Sequence, residues 1–224
     1  MEINNETLVE CFGACFETIG HYDSNIGNKT NFSVDNVQGI IGYMDRTMVI
    51  VFRGSDEFKD WVFNFTTAKQ YVPYGNYESF VRVHKGWSEL YKETVRNHLH
   101  YLVKDRKPKN IIVTGHSLGG ALATLCSVDL QYNFPSIEIA CVTFGSPKVG
   151  NKSFIESFNK RVPDTYRYVY GRDWAPLFPF VSGYEHVSFI RKHGPKRRKF
   201  FIPSIIHHII TLKRVNDFKK YLEV

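Results

Sequence analysis

An α/β architecture, a mostly parallel sheet covered by helices on both faces, is predicted by two features of this 224-residue chain. Short β-branched runs alternate with stretches of helical periodicity, which is the pattern of strand–helix–strand units. One such run, Asn110 to Thr114, leads through Gly115-His116-Ser117-Leu118-Gly119-Gly120 into a small-residue helical pattern with Leu118, Leu122, Leu125 and Val128 at helical spacing. A G-x-S-x-G segment between a strand and a helix is the order that a nucleophile elbow requires. The turn pushes the serine hydroxyl out of the sheet, and the flanking glycines let strand and helix approach where a Cβ would collide. Ser117 is therefore the candidate nucleophile.

The remaining elements follow in order. Leu8, Val9, Phe12, Cys15, Phe16 and Ile19 fall on one helical face and predict an opening helix that ends near Gly20. Val37 to Tyr43 and Thr47 to Phe52 are β-branched runs separated by Met44-Asp45-Arg46, hence an antiparallel hairpin. A loop with a possible lid occupies Gly54 to Val83. Leu90, Tyr91, Val95, Leu99 and Leu102 then mark a long helix from about Trp87 to Val103, closed by charge and Pro108. After the elbow come a strand over Ile137 to Phe144, a helix from about Lys152 to Lys160 and a strand over Tyr166 to Tyr170. In open sheets of this kind, sites lie beyond the carboxyl ends of the strands. Ser55, Ser117 and Asp173 each follow such an end.

Length and composition fit one domain over residues 1–224, able to bury roughly 70% of its unfolded surface without staples. The N-terminal stretch carries Glu2, Glu6 and Glu10 and shows no signal-peptide pattern, and no run reaches the ~18 apolar residues of a membrane span. A soluble protein is expected, with a slight lean toward the cytoplasm, although a mature form with its leader removed would look the same. Asn-x-Ser/Thr sequons at Asn5, Asn28, Asn31, Asn64 and Asn151 matter only if the chain is secreted. Cys11, Cys15, Cys126 and Cys141 read as free buried thiols, because their spacing fits neither a zinc site nor a disulfide framework. The formal charge of +7 is concentrated late, in Arg191 to Lys199 and at Lys213, Arg214, Lys219 and Lys220. A solvated basic face is the plain reading. Peripheral attraction to an anionic lipid surface is the sharper one, and nucleic acid is disfavoured because no binding motif accompanies the cluster.

A serine hydroxyl needs an imidazole to take its proton and a carboxylate to orient that imidazole. After an elbow of this type the chain order is serine, then acid, then histidine. Asp173, where the strand Tyr166 to Tyr170 gives way to Trp174-Ala175-Pro176, is the acid, with Asp164 a weaker alternative because it precedes the strand. His208, late and between apolar runs, is preferred as base over its neighbour His207, and His186 remains a third option. The oxyanion donors expected are the backbone N–H of Leu118 and, from Arg53-Gly54-Ser55, Ser55 with its N–H and its hydroxyl as a further candidate.

Several separated segments resemble one family, the class 3 or fungal-type lipases. They are Val49 to Ser55, Asp60-Trp61-Val62-Phe63-Asn64-Phe65, Val83-His84-Lys85-Gly86-Trp87, Val113 to Gly120, Phe144 to Asn151, and Arg172 to Pro176. The resemblance implies an α/β-hydrolase fold and hydrolysis of carboxylic esters with no metal or organic cofactor. In many members the segment matching Asp56 to Phe65 forms an amphipathic lid, for which Phe58, Trp61, Val62, Phe63 and Phe65 would here supply the apolar face; an ordinary buried loop helix is the alternative. The sequence departs from the family's H-x-x-Y ending, which here reads His207-His208-Ile209-Ile210, and Gly183-Tyr184-Glu185-His186 resembles a family stretch that is not catalytic. The expected substrate is an acylglycerol or related lipid ester. A phospholipase A1-type enzyme and a catalytically silent lipid- or protein-binding domain are the alternatives.

Overall fold

The computed structural model describes residues 1, 3–17, 22–35, 37–54, 71–73, 79–171, 173–188, 190–193 and 211–223. Among the described residues seven strands form the main sheet: β1 (Gly27–Val34), β2 (Val37–Met44), β3 (Thr47–Phe52), β6 (Asn110–His116), β7 (Glu138–Phe144), β8 (Thr165–Tyr170) and β9 (Ile190–His193), in the spatial order β1-β2-β3-β6-β7-β8-β9. β1, β2 and β3 pair antiparallel, and every pairing from β3 through β9 is parallel. A separate ribbon pairs β4 (Tyr71–Pro73) with β5 (Arg82–His84). The helices are α1 (Asn5–Ala14), α2 (Lys85–Leu90), α3 (Arg96–Arg106), α4 (Leu118–Asn133), α5 (Lys152–Arg161) and α6 (Thr211–Leu222).

The central strands read as continuous apolar runs because both faces are covered. On one face α1, the turn after it and α6 meet Ile112, Val142, Phe144 and Tyr168 through Phe12, Phe16, Val215 and Phe218. On the other, α2, α4 and α5 cover Ile50, Val113 and Cys141 through Trp87, Leu122, Leu125 and Phe158. The mostly parallel sheet with helices on both faces is as predicted, and so is the β2–β3 hairpin, whose turn places Asp45 in the left-handed region at φ 51°. All four cysteines are free and buried, and burial pushes the thiols of Cys15 and Cys141 up to about 12.

The structure differs from expectation at the opening helix, at the two outer strands and at the long helix. The opening helix stops at Ala14, capped at its start by Asn4, which accepts from Thr7 N; residues 18–21 lie outside the described set. Strands β1 and β9 have no apolar run in sequence, since each is an outer strand of the sheet and only Phe32 of β1 is buried. The long helix is broken by a π turn over Tyr91–Val95. Trp87, Tyr91, Val95, Leu99 and Val103 are all buried at strict four-residue spacing, which on an α-helix drifts about 40° per step. A looser i→i+5 turn returns the seam to the core. Leu90 and Leu102 flank that seam, partly buried.

This broken helix is tied to α4 by one acid. Asp129 accepts from Tyr91 Oη at 2.9 Å and from Arg96 Nε at 3.0 Å, and meets His100 Nε2 at 2.7 Å. Burial alone would raise its carboxyl, but the hydrogen bonds from His100, Arg96 and Tyr91 outweigh it and hold the group low.

Backbone contact fixes the elbow. A Cβ on Gly119 would lie 2.3 Å from the Phe52 carbonyl oxygen, and one on Gly115 would lie 2.2 Å from the Gly119 carbonyl oxygen. The first turn of α4 thus rests directly on the end of β3 and on its own strand.

Gly119→Ala forces backbone apart at the centre of the sheet and destabilises the fold by about 2 kcal/mol or more; a urea midpoint equal to wild type would contradict the packing. Burial lowers both His84 and His186 to about 4, so each is neutral in the fold yet titrates near 6.5 unfolded. Their contribution is complete above about pH 6.5 and is lost as pH falls toward 4, by up to about 3 kcal/mol per ring. Asp129, held low, adds its loss below about pH 4. Urea melts at pH 7, 5.5 and 4.5 should show falling stability, and a flat profile would contradict burial of the two rings.

Candidate active site

The parallel register sets three chain ends side by side at one edge of the sheet: Gly54 after β3, Ser117 after β6 and Gly145 after β7, with Asp173 beyond β8. Ser117 has φ 56° and ψ −123°, a conformation that L residues seldom adopt. It is held there from both sides. Its N–H donates to the Phe144 carbonyl at 2.9 Å, and its own carbonyl accepts from Gly120 N at 2.9 Å. The Oγ is fully buried and has no hydrogen-bond partner among the described residues. Leu118 is the first residue of α4, so its N–H lies at a helix N-terminus, where dipole and unsatisfied donors favour developing negative charge.

Asp173 is buried. Its N–H donates to the Tyr170 carbonyl at 3.0 Å, which bends the chain back over the strand end, and its Oδ1 accepts from Ala175 N at 3.1 Å. The other oxygen, Oδ2, rests on Gly145, where a Cβ would come within 2.5 Å. Gly145 also has φ 59°, so position 145 needs glycine on two counts. His116 enters the same corner: its Nε2 is 3.7 Å from that Cβ position, and its ring packs on Phe16 at 4.9 Å. Gly145 and His116 carry no sign of these contacts in the sequence beyond their place inside the family segments Phe144 to Asn151 and Val113 to Gly120.

Asp164 is removed from contention by topology. It precedes β8, lies at the opposite edge of the sheet, and pairs with the N-terminal amine of Met1. His186 is also set apart from proton transfer. Its Nε2 meets the Pro176 carbonyl at 2.7 Å, and a carbonyl only accepts, so that nitrogen carries the hydrogen and is engaged. Burial first, then the nearby Arg167 and Lys148 cations, lower His186 to about 4 against the raising effect of the Pro176 bond. Arg167 is itself 5% exposed, and its Nε and Nη1 have no acceptor among the described residues; burial pulls it down to about 10. His193 ends β9. Ser55, His207, His208 and the lid segment Asp56 to Phe65 lie outside the described residues.

The acid loop also presents apolar surface. Leu177, Phe180 and Val181 are exposed, and Phe180 stacks on Trp174 at 6.3 Å. Phe80 is exposed as well. No helix among the described residues is long and apolar enough to cross a membrane.

Comparison with known proteins places the chain among lipases of one family. The chain is similar to secreted mono- and diacylglycerol lipase 1 of Fusarium solani, with 32% identity over 81% of this chain and 54% of the relative. It is similar to the lipase of Rhizomucor miehei, with 35% identity over 66% of this chain and 42% of the relative. The chain thus spans about half the length of the curated relatives it matches. The solved structure of Rhizomucor miehei triacylglyceride lipase superposes with a TM-score of 0.66 at 26% identity, covering 84% of this chain and 78% of that one, which bears out the α/β-hydrolase fold. The lean toward the cytoplasm is corrected: the Fusarium relative, like several from Malassezia, is named as secreted. That expectation rested on the composition of the first residues, which says nothing about a leader removed before them. The model of the family "Lipase (class 3)" matches residues 49–183, more than half of the sequence and every strand end of the site, and the chain belongs to that family.

Proposed function

We propose that the chain is a serine carboxylic-ester hydrolase acting on acylglycerols or related lipid esters. The observation that carries the reading is the pairing, at one sheet edge, of Ser117 in a strained elbow conformation with a buried Asp173 carboxylate seated on Gly145. In the reaction, His208 takes the Ser117 proton and Oγ attacks the ester carbonyl. The oxyanion is received by the Leu118 N–H and Ser55. Asp173 stabilises the imidazolium, which returns its proton to the leaving alcohol. Water, deprotonated by the same imidazole, then releases the fatty acid and restores Ser117.

Strain at Ser117 has a use in this scheme, since it holds the nucleophile at the N-terminus of α4 without reorganisation during attack. A lipid ester is favoured over a water-soluble one by the exposed Leu177, Phe180 and Val181 beside the acid, which can lie against a lipid surface, and by the acylglycerol lipase names of the relatives. The basic cluster at Arg191 to Lys199 would add attraction to anionic headgroups.

Ser117→Ala should abolish labelling by a fluorophosphonate and lower hydrolysis of a medium-chain glyceride by on the order of 10⁴-fold or more. Unchanged activity would overturn the assignment, and absence of labelling in folded wild type would favour a silent lipid-binding domain. His208→Ala should match that loss while His207→Ala retains most activity; the reverse pattern would move the base by one residue.

A further inference from the structure

The acid loop is connected to the rest of the molecule at its two ends in different ways. Downstream, Lys148 N donates to the Phe178 carbonyl at 2.8 Å and Lys148 Nζ to the Pro179 carbonyl at 3.3 Å. Upstream, a short chain of contacts begins at the acid itself: Asp173 Oδ1 accepts from Ala175 N, and the carbonyl of the next residue, Pro176, accepts from His186 Nε2. The backbone that carries His186 is in turn fixed, because Glu185 N donates to the Gly150 carbonyl at 2.9 Å. The imidazole therefore reaches back ten residues to pin the turn on which the carboxylate hangs.

We infer that His186 is a positioning residue for Asp173, holding the Ala175–Pro176 turn so that the carboxylate stays seated on Gly145. The inference rests on the hydrolase reading above. Burial first, and then the cations of Arg167 and Lys148, disfavour a positive charge on this ring, so it serves as a neutral donor. A donor of similar reach without a titrating ring should therefore replace it. A glutamine amide meets that description, and an alanine does not.

The test compares wild type with His186→Ala and His186→Gln, using the rate of fluorophosphonate labelling, steady-state hydrolysis of a soluble p-nitrophenyl ester, and thermal melting of each full chain. Misplacing a catalytic group by an ångström can cost about 100-fold, so His186→Ala should lower kcat and the labelling rate roughly 10- to 100-fold with KM changed less than about threefold. His186→Gln should recover most of both rates. Labelling of His186→Ala at the wild-type rate would overturn the inference while leaving the hydrolase reading intact. Equal rate losses in both variants, tracking equal falls in melting temperature, would also overturn it by making the ring a packing element only. Wild type that neither labels nor hydrolyses would overturn the hydrolase reading and this inference with it. If His186→Ala does not fold, His186→Asn keeps the amide but shortens its reach: a kcat loss larger than that of His186→Gln supports the inference, and wild-type kcat contradicts it.

Discussion

The first turn of α4 touches strand backbone with nothing in between, and this contact organises the rest of the site. With no Cβ at Gly115 or Gly119, the helix can start at the mouth of β6, against the Phe52 carbonyl of β3. That placement leaves Ser117 as the one residue between strand and helix, forces it to φ 56°, and aligns the helix N-terminus with the place where an attacked carbonyl would gain charge. Gly120 extends the same economy of space to the next strand, since a Cβ there would meet Ser146 Cβ at 2.7 Å. The nucleophile's geometry is thus a consequence of how closely a helix and three strand ends pack, and it does not depend on side-chain contacts of the serine.

The acid is positioned by a different kind of constraint. Asp173 stands on a loop outside the sheet, so no strand register fixes it. Its place depends on a turn closed by its own Oδ1 and N–H, on the absence of a side chain at Gly145, and on anchors from Lys148 and His186. The buried Arg167, whose Nε and Nη1 have no acceptor among the described residues, adds to the cost that burial sets on charging His186. Elsewhere the fold satisfies its buried charge in the ordinary manner, as Asp129 does through Tyr91, Arg96 and His100.

What could be read in the sequence divides along the same line. The central strands were legible because burial on both faces demands uninterrupted apolar runs, and Ser117 and Asp173 were legible because each lies where such a run stops. The outer strands β1 and β9 were not, because a half-exposed edge is written in polar and basic residues such as Asn28, Lys29, Arg191 and Lys192. The π turn was hidden in a helical spacing that looks regular until its four-residue steps are summed. His186 carried no local sign of its task, since its partner Pro176 is brought to it only by the loop. The base rests on two adjacent histidines, and adjacency gives no periodicity from which to choose.

The most direct test of the central claim is a crystal structure of the full chain after reaction with a p-nitrophenyl alkylphosphonate. The account predicts a single phosphonyl group on Ser117 Oγ, its free oxygen accepting from Leu118 N–H, with an imidazole between that group and the Asp173 carboxylate. An adduct on any other residue, or on Ser117 with its oxygen turned away from the start of α4, would contradict it.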